Sequence, residues 1–325
     1  MRRTWLVAAT VVPMLVVSAC SSRNAVNKPH NNAGGGKGGY GYKIAVVTHG
    51  SAGDAFWTIV QNGVKQAGKD MGDTVSYESD GDPTKQAALI DAATNAKPDG
   101  LVVSMANPPA LKAAIERAEK AGIPVITINS GEAESKAYGA LSHIGQDEVV
   151  AGRAVGTQLK ADGVHHAICV IQEAGNVGLE QRCGGVKDTL GGTVTNIQVD
   201  NNNLPAAQTL IKTKLQSDTS VDAVVTLGAQ VAQVAEGAIS QANSKAELAT
   251  FDLNGDVAKA IEQGKIAFAV DQQPYLQGYL AVVMLTLYKS NLNVLGGGQP
   301  VLTGPTLITK ENAAAVAQLA AGGTR

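Results

Sequence analysis

Aromatic side chains make up only 4% of this 325-residue chain, so each one outside the N-terminal segment has to be accounted for. Charge of one sign is missing too. The formal net charge is −2 and no large block of like charge occurs, which leaves nothing to attract a nucleic acid. After the N-terminal segment no apolar run reaches membrane-spanning length, so the folded part is expected to be soluble. There is no nucleophile elbow of the G-x-S-x-G kind and no metal-ligating H-x-x-x-H spacing. No cofactor and no metal are expected, and catalysis finds little support. Cysteines number three, and their positions say more than their count.

Cys20 closes the stretch "LVVSAC". Arg2 and Arg3 precede an apolar run, Trp5 to Val17, broken only by Thr10, and small residues lead into the cysteine. This is the layout of an export signal, too short and wrongly flanked for a transmembrane helix. Val17-Ser18-Ala19-Cys20 resembles the bacterial lipobox, in which the cysteine takes a diacylglycerol and becomes the first residue of the mature chain. An ordinary secretory signal with a chance cysteine is the plainer alternative. The following "SSRNAVNKPHNNAGGGKGGYGY" is polar and glycine-rich and reads as a tether. "GGGKGG" within it is not a phosphate loop, since such loops follow a strand and here the strand comes after. In an exported chain Cys169 and Cys183 are expected to be bridged, closing a loop whose entropy contributes roughly 3 kcal/mol. Zinc is the rival, with His165 and His166 nearby, but adjacent residues of a strand face opposite ways.

From Lys43 onward short β-rich runs alternate with amphipathic segments: "KIAVVT", "TVSYESD", "DGLVVSM" and "IPVITIN" are strands with helices between. The pattern recurs after "HHAICVIQ", and "KPDGLVVS" in the first half answers "SVDAVVTL" in the second. Strand–helix alternation with continuous apolar strands predicts two α/β lobes, each a doubly wound parallel sheet. Ligands of open α/β sheets bind beyond the carboxyl ends of the strands. Those ends carry His49, Asp54, Phe56 and Trp57, then Asn129 and Ser130, then Glu180, Asn202, Asp252 and Gln272. Carboxylates, amides and two adjacent aromatics suit a neutral polyhydroxylated ligand, whose hydroxyls donate and accept while its C–H face lies on a ring. Each residue also has a plain structural reading: Asp and Asn after strands cap helices or make Asx turns, and Phe56 or Trp57 could be helix core.

The chain resembles the sugar-binding proteins of bacterial ABC importers, the ribose-binding-like group of type I periplasmic binding proteins. The resemblance runs from about Lys43 to Lys310 and is carried by "DAFW", "AGIPVITINS", "HIGQDEVVAG", "TFDLN" and above all "VDQQPYLQGYLAV". It implies two lobes joined by three crossings, near Gln146-Asp147, near Gln272 and just after the Leu292–Gly298 region. Residues 1–19 are then a signal peptide and 20–41 the lipidated tether. Residues 42–146 plus 273–297 form one lobe, and 147–272 plus 298–325 the other. By resemblance Asp54, Phe56, Trp57, Asp252 and Gln272 hold the ligand, and Arg182 is structural. Four positions depart from the family: Asn129-Ser130 replaces an Asp-Arg pair, Glu180 falls where the family has a ligand arginine, Gly228 where it has a ligand asparagine, and Asn202 where it has an aromatic. These put ribose in doubt and favour another pentose, a hexose or a polyol.

The implied function is a membrane-anchored monomeric receptor that captures a sugar or polyol and hands it to an ABC permease and its ATPase, without reaction. A sensory receptor of the same fold is one alternative. An exported carbohydrate-active enzyme is another, since two carboxylates across a cleft serve glycoside cleavage. Cys20→Ala is expected to release the protein into the soluble fraction or leave it unprocessed; an unchanged, detergent-requiring membrane fraction would contradict lipidation.

Overall fold

The computed structural model describes residues 39–325 except Ala52. The signal, Cys20 and most of the tether lie outside the described residues. The first lobe starts with β1 (Lys43–Thr48), α1 (Ala55–Met71), β2 (Thr74–Ser79), α2 (Pro83–Asn95), β3 (Gly100–Ser104), α3 (Pro108–Lys120), β4 (Val125–Ile128), α4 (Glu132–Ser135) and β5 (Ser142–Gln146). The chain then crosses into the second lobe. There it forms α5 (Glu148–Ala161), β6 (His166–Ile171), α6 (Val177–Leu190), β7 (Thr193–Gln198), α7 (Leu204–Ser217) and β8 (Ala223–Thr226). That lobe continues with α8 (Ala229–Gln241), β9 (Glu247–Phe251), α9 (Gly255–Glu262) and β10 (Phe268–Asp271). The chain returns for α10 (Pro274–Asn291) and β11 (Val301–Gly304), and ends in the second lobe with β12 (Thr306–Thr309) and α11 (Ala313–Ala321).

Each lobe is built on a six-stranded sheet, ordered β11-β5-β4-β3-β1-β2 in one and β12-β10-β9-β8-β6-β7 in the other. The two orders correspond strand for strand, and all pairings are parallel except β10 with β12. Burial explains the apolar runs: every residue of β3, β4 and β8 is buried, whereas the edge strands β2 and β7 alternate and face water on one side. In the first lobe α1 and α10 cover one sheet face, and α2 and α3 the other. In the second lobe α5 and α6 pack against one face and α7, α8, α9 and α11 against the opposite one.

The helix pairs α1/α10 and α5/α6 come unusually close, because glycines sit where they touch. A Cβ on Gly63 would lie 2.1 Å from the Tyr275 carbonyl oxygen, and one on Gly152 2.1 Å from that of Arg182. Both pairs need the bare backbone. Cys169 on β6 and Cys183 on α6 form a disulfide, as expected, with both residues buried. It pins α6 to the sheet that it covers.

One sequence-based boundary needs correction, and one helix has no counterpart in the sequence reading. The glycine run at 296–298 was expected to start the second lobe, but β11 lies beyond it and pairs with β5 of the first sheet. The third crossing is therefore at Gly304-Pro305, and the first lobe's later segment extends to Gly304 rather than residue 297. The glycines bend the link between α10 and β11. The second unanticipated feature is α11, which packs on α9 and whose alanine-rich sequence carries little periodic signal. No described helix is long and apolar enough to cross a membrane.

Replacing both Cys169 and Cys183 by Ala is expected to lower unfolding free energy by about 3 kcal/mol, from the size of the loop that they close. Urea denaturation with and without reductant measures this; identical midpoints would refute it.

Candidate functional site

The carboxyl ends of both sheets face each other across one cleft. Its inner cavity, about 50 Å³, is lined by residues of both lobes. Equivalent strands supply equivalent residues. Asn129 follows β4 and Asp252 follows β9, and both are in the left-handed region, at φ 65° and 68°. A non-glycine residue there is held against about 1–2 kcal/mol of strain. The same device holds each one: Asn129 N–H donates to the Ile144 carbonyl at 3.0 Å, and Asp252 N–H to that of Val270 at 2.8 Å.

Gln272, at the second crossing, joins the two. Its Nε2 donates to Asp252 Oδ1 at 2.6 Å, and its Oε1 accepts from Asn129 Nδ2 at 3.1 Å. Ser130 Oγ donates in turn to Asn129 Oδ1 at 2.9 Å. A continuous chain of amide and hydroxyl groups thus runs from one lobe through the hinge to the other. It forms the hinge-side wall of the cavity.

The opposite wall is aromatic. Asp54 caps α1, accepting from Phe56 N–H at 2.9 Å, and also lines the cavity, so its structural and candidate binding positions coincide. Phe56 and Trp57 meet edge to face at 5.0 Å, and Trp57 meets His49 likewise at 4.6 Å. Trp57 belongs to the first-lobe core and still borders the cavity. His49 is fixed by Ser104: Ser104 Oγ accepts the His49 backbone N–H at 2.9 Å and lies 2.7 Å from Nδ1. The two contacts hold the ring by its Nδ1 side and leave Nε2 facing the second lobe. Glu173 Oε2, from the second lobe, stands 3.8 Å from that nitrogen.

Beneath the second lobe's side lies a buried ion pair. Arg182 donates from Nε to Glu148 Oε2 at 2.6 Å, from Nη2 to Glu148 Oε1 at 2.9 Å and from Nη1 to the Leu227 carbonyl at 3.2 Å. Gln146 supports the same carboxylate at 2.8 Å, and the guanidinium rests over the Phe251 ring. Burial opposes the charge on Arg182, but Glu148 outweighs it and raises the pKa. Asp252 is pushed up to about 7 by burial, against the pull of Arg182 and the Gln272 hydrogen bond. Asp54 rises to about 6, through burial and then the charge of Glu173. Burial also raises Glu173, and lowers His49 to about 3, with Arg182 adding to the latter effect. The cavity is thus rich in acceptors whose charge is poorly solvated.

The structure gathers His49, Asp54, Phe56, Trp57, Asn129, Ser130, Asp252 and Gln272 around this cavity. It leaves out two residues. Glu180 is exposed on α6, because Leu179, Arg182 and Cys183 take the buried stripe and Glu180 falls between them. Asn202 is exposed as well, tied to Asp200 Oδ1 through its N–H at 2.8 Å; its neighbour Asn201 lines the cavity instead. Gln172, Glu173 and Asn176 also line it and escaped the sequence reading. Gln172 had a signal: it directly follows β6, as His49 follows β1. It also explains Gly228, since a Cβ there would lie 2.9 Å from Gln172 Nε2. The amide that a larger residue at 228 would supply comes from Gln172.

The lobes touch around the cavity. Val177 N–H donates to the Ala106 carbonyl at 3.0 Å, and Gln230 Nε2 to that of Gly53 at 3.0 Å. Among the described residues no cluster of His, Cys, Asp and Glu is arranged to hold a metal.

Comparison with known proteins agrees with this architecture. Residues 44–291 match the family described as "Periplasmic binding protein domain". A carbohydrate transporter from Acidothermus cellulolyticus, solved in complex with myo-inositol, is 46% identical, with a TM-score of 0.87 over 88% of this chain and 100% of that one. A glucose-galactose binding protein from Geobacillus stearothermophilus shares the fold at 22% identity, with a TM-score of 0.75 over 84% of this chain and 98% of its own. The ribose import binding protein of Haemophilus influenzae is 28% identical over 237 residues, 70% of this chain and 79% of that protein. The chain belongs to the periplasmic binding protein domain family, in its ribose-binding-like type I form.

Proposed function

We infer that this protein is the extracytoplasmic sugar-binding component of an ABC importer, and that its ligand is a neutral cyclitol of the myo-inositol kind. The observation that carries the reading is the convergence of three carboxylates, Asp54, Glu173 and Asp252, and a row of amides on one interlobe cavity. Acceptors in excess call for a ligand covered in hydroxyl donors. A carboxylate or phosphate on the ring itself is disfavoured, because the one cation at the cavity, Arg182, is already matched by Glu148. The losses at Asn129-Ser130 and Gly228 move the site away from the ribose pattern. The 46% identical relative holding myo-inositol supports a cyclitol. The ring's C–H face would lie on Phe56 or Trp57, with hydroxyls on Asp54, Asn129, Asp252 and Gln272. Binding without reaction, delivery to a permease and its ATPase, action as a monomer and anchoring through lipidated Cys20 complete the proposal. The two lobes would open and close about the crossings.

A thermal-shift screen over cyclitols, pentoses, hexoses and linear polyols tests it. A ligand at a hundred times its dissociation constant stabilises by about 2.7 kcal/mol. The largest shift is expected for myo-inositol; a pentose giving the largest shift, with myo-inositol inert, would sink the cyclitol reading.

Asp252→Asn should act in opposite directions on binding and on stability. Losing the charged acceptor weakens ligand binding by about 1.5–3 kcal/mol. The folded-state pKa of Asp252, about 7, lies above its ordinary value. Stability is therefore lost as pH rises from the ordinary carboxylate value of about 4 to the folded-state value, and only well below pH 4 is the carboxyl neutral in both states. Unliganded Asp252→Asn should then exceed wild type in stability by on the order of 2–4 kcal/mol at pH 8, and match it well below about pH 4. Denaturant titrations at the two pH values decide; an equal difference at both would show that ionisation is not the cause.

A further inference from the structure

Outward from the inner cavity the cleft widens into a second chamber of about 600 Å³. It lies between the ends of β1, β2 and β3 on one side and of β6 and β7 on the other, away from the three crossings. The two spaces are continuous: His49, Gln172, Glu173, Asn176 and Asn201 line both. The meeting of the lobes does not squeeze the chamber out. Ala106, which accepts the interlobe hydrogen bond from Val177, and Asn176 stand on its wall.

The wall is made of acceptors. Asp80, Asp82, Glu173 and Asp200 contribute carboxylates, and no lysine or arginine is among the described residues that line the space. Lys85, on this side of the first lobe, pairs with Asp80 at 3.9 Å. A second and independent feature sits at the junction of the chambers. Gln172 is only 9% exposed, and its Oε1 accepts no hydrogen bond from any described residue. A buried acceptor left in this condition is unfavourable until a donor reaches it. Gln172 Nε2 lies toward Gly228 and Oε1 is enclosed, so a ligand donor meets that oxygen only when the side chain turns.

We propose that the outer chamber is a second subsite, taking a hydroxyl- or amine-bearing substituent of the ring held in the inner cavity. The protein then binds a glycosylated cyclitol as well as the free one, and rejects a phosphorylated one. This rests on the reading of the inner cavity given above. The hinge-side chain of Gln272 and the aromatic wall close the other directions, so a substituent leaves the ring past Gln172. Its hydroxyls donate to the carboxylates that line the outer chamber. A phosphate in the same place would bring its negative charge, close to −2, against four carboxylates with no lysine or arginine among the described lining residues.

Calorimetric titration of the protein with myo-inositol, galactosyl-myo-inositol and inositol 1-phosphate tests this. The galactoside should bind within about tenfold of the free cyclitol, and the phosphate more than about a hundredfold more weakly. Ala174 lies on an exposed turn that lines the outer chamber and not the inner cavity. Ala174→Trp should weaken the galactoside by at least about thirtyfold and leave myo-inositol within about threefold. A galactoside as weak as the phosphate, or a variant that weakens both ligands equally, would overturn the subsite alone. Binding of neither myo-inositol nor its galactoside would overturn the cyclitol reading and the subsite with it.

Discussion

A guanidinium with no water around it must be matched in charge and in hydrogen bonds, and Arg182 meets both demands in a way that organises the second lobe. Its partners come from the start of α5, the end of β8 and the ring at the end of β9, and Gln146 supports Glu148 from the first crossing. Breaking such a buried pair by removing one partner leaves an uncompensated charge and costs about 3–5 kcal/mol. The pair therefore constrains where α5 leaves the hinge and how α6 seats on the sheet. The disulfide one residue further on fixes the same helix from its covalent side. The potential inside the cavity follows from this arrangement: a neutralised pair at the base, with Asp252 above it and short of solvation.

The symmetry of the lobes is visible in side-chain detail as well as in strand order. Asn129 and Asp252 occupy corresponding strand ends with the same left-handed backbone and the same donation to the next strand. His49 and Gln172 are likewise the first residues after corresponding strands. The halves differ in chemistry. One supplies an amide where the other supplies a carboxylate, and an imidazole on one side corresponds to an amide on the other. A ring bound between them, as proposed above, would meet donors and acceptors of both lobes and so favour their closure.

Much of this was legible in the sequence, for reasons tied to particular residues. Parallel strands buried on both faces leave apolar runs, so β1, β3, β4 and β8 declare themselves, and the positions just after them follow directly. Asp54, Asn129, Asp252 and Gln272 could be read in this way. Glu180 could not, because which face of α6 turns inward depends on its packing against α5. Asn201 and Asn202 differ by half a turn of irregular chain, which no periodicity resolves. Gln172 was hidden by its ordinary identity, although its position after β6 was known. The crossing at Gly304 was masked by the more conspicuous glycines before it, since sheet membership of β11 is a matter of long-range pairing.

All three crossings leave the lobes beside β5, β10, β11 and β12, at one end of each sheet. The strands β11 and β12 are separated only by Pro305 yet belong to different sheets, so little slack is stored at that joint. Two stiff plates joined along one border move like the covers of a book. From β5 to β2 there are four strand spacings, about 19 Å, so a small rotation near the spine becomes a wide gap at the outer edge. On opening, the loops after β2 and β7 part first, and the groups around Gln272 separate last. A guest would be released from its outer end inward, with the hydrogen-bonded row Asn129–Gln272–Asp252 as its final hold.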